Sequence, residues 1–237
     1  MPDTPFGFGL PGGGTSPDPN DPQWAAVMAQ LQQLMSSARA TGPVNWDLAT
    51  QIATGAVRPG DRSLTAAERT DVTEALHLAD MWLDTVTVLP SGLTANAGWS
   101  RLEWLEATMP TWQALCDPVA ERIGRAMSSL LPEEAAGQLG PMAGMLSGLG
   151  GMMFGTQVGQ GLGQLAAEVL SSSDIGLPLG PAGTGALLPA NLASFTEGLE
   201  LPPEEVRLYV ALREAAHHRL YGHVGWLRAH LLAAVRG

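Results

Sequence analysis

Apolar residues recur at three- and four-residue intervals along most of this chain, the period of helices with one buried face. Trp24, Val27, Met28, Leu31, Leu34 and Met35 form one such stripe. Asp21 caps it, Pro22 suits its first position, and Gly42-Pro43 stops it, so a helix to about Arg39 is expected. Asn45 or Asp47 caps a short helix through Ala56, before a turn at Pro59-Gly60. Thr65-Ala-Ala-Glu68 is a capping box, in which hydroxyl and carboxylate satisfy the exposed N–H groups of a helix start. The helix it opens buries Val72, Leu76, Ala79, Leu83 and Val86, with His77 beside the stripe in a structural role. Ser100 caps another helix, which Pro110 is expected to break or restart before its pattern continues to Leu131. Trp99, Trp104 and Trp112 read as core or inter-helix contacts, and Cys116 as a small packed group.

The pattern then changes twice. Residues 135–167 carry no charge, a length that spans a bilayer. Glycines run through the stretch at four-residue spacing, as Gly140, Gly144, Gly148 and then Gly151, Gly155, Gly159, Gly163. That spacing clears one helical face for close approach of a second helix. Gln157, Gln160 and Gln164 form a polar strip, and the apolar residues are mostly Ala, Gly and Met. A buried helical hairpin, broken near Gly148 and Gly150-Gly151, is preferred over a membrane span. From Ser171 to Ala193 short extended segments lie among Gly and Pro turns, too Pro-rich for central strands. Pro202-Pro203-Glu204-Glu205 opens the last helix, which runs through Leu220 and on towards Arg236, with Gly222 and Gly225 inviting a kink.

Composition narrows the partners. The 237 residues hold 12 basic groups, all arginine, against 23 acidic ones, for a net charge of -11. That field disfavours nucleic acid and anionic membranes. One cysteine gives no sign of an oxidising compartment, and no secretory signal opens the chain, so a cytoplasmic setting is expected. Residues 1–22, rich in Pro, Gly, Asp and Ser, read as a disordered tail. The last 37 residues reverse the balance, with five arginines, three acids and four of the five histidines.

On that last helix stands Leu212-Arg213-Glu214-Ala215-Ala216-His217-His218-Arg219-Leu220. In the H-E-x-x-H motif two histidines at i and i+4 share a helical face and hold zinc, and the Glu activates the bound water. Glu214 and His217 match the Glu and the second His, and Arg213 stands at the first His. Arginine has no lone pair for a metal.

Longer matches accompany the motif: Pro43-Val-Asn-Trp-Asp47, Leu188-Pro-Ala-Asn-Leu-Ala193, and Leu208-Tyr-Val-Ala-Leu-Arg-Glu-Ala-Ala-His-His-Arg-Leu-Tyr221 running on to His230. Through them residues 23–237 resemble the N-terminal half of the zincin-like metallopeptidase type 2 proteins, a group labelled hydrolases or coenzyme F420 biosynthesis-associated proteins. The resemblance implies a mainly α, multi-helix domain over residues 23–237, with a short extended or β segment before a C-terminal zincin-like helix. It implies zinc, with Glu214 as catalytic base and His217 as ligand, and hydrolysis of a peptide or small amide. It also implies a longer chain, with a third ligand after residue 237.

Three readings of the helix stay open. Glu214 and His218, also i, i+4, with His217 alongside, form a shifted metal site completed from elsewhere. Alternatively, the Arg213 guanidinium replaces the metal by pairing with Glu214 or a nearby carboxylate, leaving a non-catalytic binding or structural protein. In the third, the histidines are a polar face. A homo-oligomer through the Gly-rich hairpin is the remaining partner expectation.

Overall fold

The computed structural model describes residues 42–129 and 140–236. The expected helix before residue 42 and the N-terminal tail lie outside them. Helix α1, Trp46–Val57, starts at Asn45, whose side chain accepts from the Leu48 amide. A 3-10 turn, Arg58–Gly60, leads to α2, Ala66–Asp84, where both bonds of the Thr65–Glu68 capping box form. Strand β1, Ala95–Gly98, precedes α3, Arg101–Ser129. A second reciprocal cap, between Ser100 and Glu103, opens α3. Helix α4, Gly140–Glu168, is followed by β2, Thr184–Leu187, then α5, Pro189–Thr196, α6, Pro203–His223, and α7, Leu227–Arg236. The mainly α expectation holds.

The hairpin expected at Gly148–Gly151 is instead one continuous helix. Each interior glycine costs a helix up to about 1 kcal/mol. Here the cost is offset by contact with α1. A methyl group on Gly155 would meet the Asn45 carbonyl oxygen at 2.5 Å, and one on Gly159 the Ala49 Cα at 2.9 Å. The glycine face is therefore filled from within the chain. No described helix is long and apolar enough to cross a membrane.

Helix α3 also passes through Pro110, and through Pro118. Each proline removes one backbone bond. Trp104, Leu105 and Leu115 hold the helix across Pro110 through a shared core with Ala53 and Val57 of α1 and Leu162 and Ala166 of α4. Trp99 and Trp112 pack against the same core, as expected.

Strands β1 and β2 pair in parallel, with Ala95 opposite Thr184 and Gly98 opposite Leu187. Of the extended segments expected between Ser171 and Ala193, the strand is Thr184–Leu187. Pro189, its φ already helical, starts α5 two residues later. Alternation along the strand sends Leu188 into the first core and Leu187 into a second. The second core joins Val72, Leu76 and Ala79 of α2 to Val210, Ala211 and Ala215 of α6. The last helix does break after His223, where Val224 to Trp226 separate α6 from α7.

Candidate functional site

Helix α6 carries the motif, and its inward face is polar where it passes β2. Pro203 sets its first turn, and Glu204 and Glu205 lie at the positive end of its dipole. Along the buried side, which begins at Val206, Val210, Ala211 and Ala215 meet α2, with Glu214, His218 and Arg219 among them. Arg219 is 2 % exposed and clamps α6 to α2. Its Nη2 donates to Asp80 Oδ1 at 2.6 Å and Asp84 Oδ1 at 2.7 Å, and its Nη1 donates to the Leu89 carbonyl at 2.5 Å.

Glu214 has no exposed surface. Gly185 of β2 faces it, where an added methyl would touch Glu214 Cγ at an ordinary 3.7 Å but crowd Leu93 Cδ2 at 2.6 Å. Three of the four hydrogen-bond donors to Glu214 come from residues 170–174, a strap that follows α4. The strap runs antiparallel to β2, with the Ser172 amide donating to the Ala186 carbonyl at 2.9 Å and the Leu188 amide to the Leu170 carbonyl at 2.9 Å. It turns at Gly176, where φ is +78°, a value glycine adopts without strain.

The strap's hydroxyls close over the carboxylate. Ser172 Oγ donates to Glu214 Oε1. Ser173 donates to Oε2 from its amide at 3.2 Å and from its hydroxyl at 2.5 Å. His218 Nε2 lies 3.1 Å from Oε1. Burial by itself pushes the Glu214 carboxyl up, but His218, Ser172 and Ser173 outweigh it and hold the group below its ordinary value.

Proton counting fixes the imidazoles. An ionised carboxylate only accepts, so His218 Nε2 carries a proton. The single proton of Ser173 Oγ goes to Glu214. His217 Nδ1, 2.9 Å from that oxygen, must then donate to it. Burial first, and the charge of Arg213 second, hold His217 below its ordinary pKa, so the ring is neutral at pH 7. A neutral ring with Nδ1 protonated leaves its Nε2 lone pair free.

Arg213 does not touch Glu214. Its Nη1 pairs with the Asp174 carboxylate, and its Nη2 donates to the Asp174 carbonyl at 2.5 Å. Asp174 Oδ2 in turn accepts from the Leu170 amide at 2.9 Å. The structure thus joins Glu214 to His218 directly and to His217 through Ser173, and ties Arg213 to the strap. Neither His223, bonded to the Ser91 carbonyl, nor His230, stacked edge-on against Trp226, joins the cluster. His77 is exposed on α2. Ser172, Ser173 and Asp174 were missed as site residues. Their only signal is four consecutive polar residues, Ser171 to Asp174, between an apolar helix and a Pro/Gly-rich stretch.

The model of a family described as zincin-like metallopeptidase matches residues 44–237. The chain belongs to this family. Among solved structures, this zincin-like chain is similar to one titled "Crystal structure of a putative hydrolase with a novel fold from Chloroflexus aurantiacus". The TM-score is 0.60 at 21 % identity, a likeness of fold. The match covers 81 % of this chain, which spans 57 % of that one. No curated protein matches.

The donor set departs from a zincin metal centre. The first ligand position holds a guanidinium, which has no lone pair. Glu214 faces inward on four donors, and His218 Nε2 is committed to it. His217 Nε2 keeps a ligand's lone pair. Among the described residues no three His, Cys, Asp or Glu side chains converge as a metal site needs.

Proposed function

We propose that this chain uses the zincin scaffold without zinc, as a binding or structural member of the family. The observation that carries the reading is the Arg213–Asp174 pair. A permanent cation stands where the first metal ligand belongs and ties the signature helix to the strap. The chemistry supports this reading twice over. A guanidinium cannot polarise a carbonyl as a Lewis acid does. A carboxylate closed off from solvent cannot take a proton from water. The described residues act as one helical domain, and the single thiol fits a cytoplasmic setting.

The second reading is a zinc-dependent metallohydrolase acting on a peptide or small amide, with the alternative ligand His218 beside His217. One observation favours it: His217 retains the motif spacing to Glu214 and an available lone pair.

A double-mutant cycle tests the tether. Arg213→Gln and Asp174→Asn, alone and together, are compared by urea unfolding. The pair is part-exposed, at 39 % and 19 %, so a coupling of about 1 kcal/mol is expected. Additive losses would remove the tether, and with it the role given to Arg213.

A further inference from the structure

A groove opens between α2, α5 and the start of α6, ahead of the motif. Buried Val72 and Leu192, with Pro189, give it an apolar lining, which exposed Ala193 and Pro203 continue to solvent. Its volume is about 190 Å³. A cavity of about 150 Å³ takes a benzene ring, so this groove takes one side chain. Thr196 and Pro203 both line it, so the connection from α5 to α6 begins and ends there. That connection exposes Leu199 and Leu201, and Phe195 is exposed beside Thr196. Three large apolar side chains within residues 195–201 make a patch rather than scattered singles.

The unpaired charge around the groove has one sign. Among the lining residues Arg207 donates to Asp71 at 3.2 Å, and Glu68 is paired with Arg62. Glu197, Glu200, Glu204 and Glu205 are all exposed, and each lies within three residues of Thr196 or Pro203 along the chain. None of these four forms an ion pair among the described residues. An apolar slot for one side chain therefore sits beside uncompensated carboxylates.

We infer that this groove docks a basic segment of another protein. One aliphatic or aromatic side chain of that segment seats between α2 and α5, and its arginine or lysine side chains face the four glutamates. The apolar anchor supplies affinity, and the charged rim supplies rate of encounter and choice of partner. A second copy of this chain brings a net charge of -11 and is disfavoured by repulsion. The inference goes beyond the reading above and is independent of zinc, since no lining residue belongs to the Glu214 cluster.

The test is fluorescence anisotropy of labelled, capped peptides titrated with the full chain: Arg-Arg-Leu-Arg-Arg, Arg-Arg-Ser-Arg-Arg and Glu-Glu-Leu-Glu-Glu. The first is expected to bind saturably and to weaken between about 0.05 and 0.2 M salt, and the acidic peptide not to bind. Serine in place of leucine is expected to weaken binding about tenfold or more, the worth of one buried leucine. Ala193→Phe fills the groove from an exposed helical position and is expected to weaken the leucine peptide by at least about tenfold. Glu204→Gln/Glu205→Gln is expected to weaken it about threefold to tenfold, and the charge-matched Glu106→Gln/Glu121→Gln on α3 to leave it unchanged. Melting curves show that the variants are folded. No saturation, equal affinity for the leucine and serine peptides, indifference to either groove variant, or an equal loss in the α3 control would overturn the proposal. So would dimerisation of the chain that Ala193→Phe abolishes in sedimentation velocity, which would give the groove to a second copy.

Discussion

Gly92→Ala melts well below the parent protein, by about 6–12 °C, or about 3 kcal/mol. Gly92 lies in the loop between α2 and β1, with its backbone against that of α6. A methyl group there would overlap the His218 carbonyl and approach the Arg219 amide nitrogen to 2.7 Å. Both neighbours are main-chain atoms inside a helix, so no side chain can swing aside. Either the loop lifts or α6 shifts, and either movement disturbs Leu93, which packs over Gly185 opposite Glu214. Overpacking usually costs about 1–3 kcal/mol, and a clash of backbone with backbone belongs at the upper end. Differential scanning calorimetry measures it. A loss below about 1 kcal/mol would mean that the loop is not seated on the signature helix.

Arg219→Met is expected to cost about 3–5 kcal/mol, the usual penalty for removing one partner of a buried ion pair. Methionine keeps most of the volume but none of the donors. Asp80 loses its bonds to Arg219 Nε and Nη2, and the Leu89 carbonyl loses its donor at 2.5 Å. Asp84, more exposed, is rehydrated at little cost. The test is urea unfolding of Arg219→Met beside Asp80→Asn/Arg219→Met. If the loss arises from a stranded Asp80, the second change recovers part of it. No recovery would assign the loss to packing alone.

The helices were legible because their ends are written locally. Thr65 with Glu68 and Pro203 with two following acids mark starts by side chains a few residues apart. The glycine ladder was legible as a contact face but not as one helix. Its partner, α1, lies about a hundred residues upstream, and only that contact compensates the glycines. Strand β1 left no trace, because Ala95-Asn-Ala-Gly98 has no β-forming side chain and owes its shape to pairing with β2.

The site divides in the same way. Glu214, His217, His218 and Arg213 announce themselves through i, i+4 spacing on one helix. The strap residues that decide their chemistry lie about forty positions earlier and are joined to them by tertiary contacts alone. The sequence offered Arg213 two anionic partners, Glu214 or a nearby carboxylate. The fold selects Asp174, since Glu214 points into the core while Arg213 lies at its edge.

Metal analysis of the chain, purified without chelator and then equilibrated with excess zinc and desalted, tests the central claim most directly. With Arg213 at the ligand position and Glu214 closed by Ser172, Ser173 and His218, the account expects no stoichiometric zinc and no change in content on His217→Ala. Stoichiometric zinc that survives desalting and disappears in His217→Ala would contradict it.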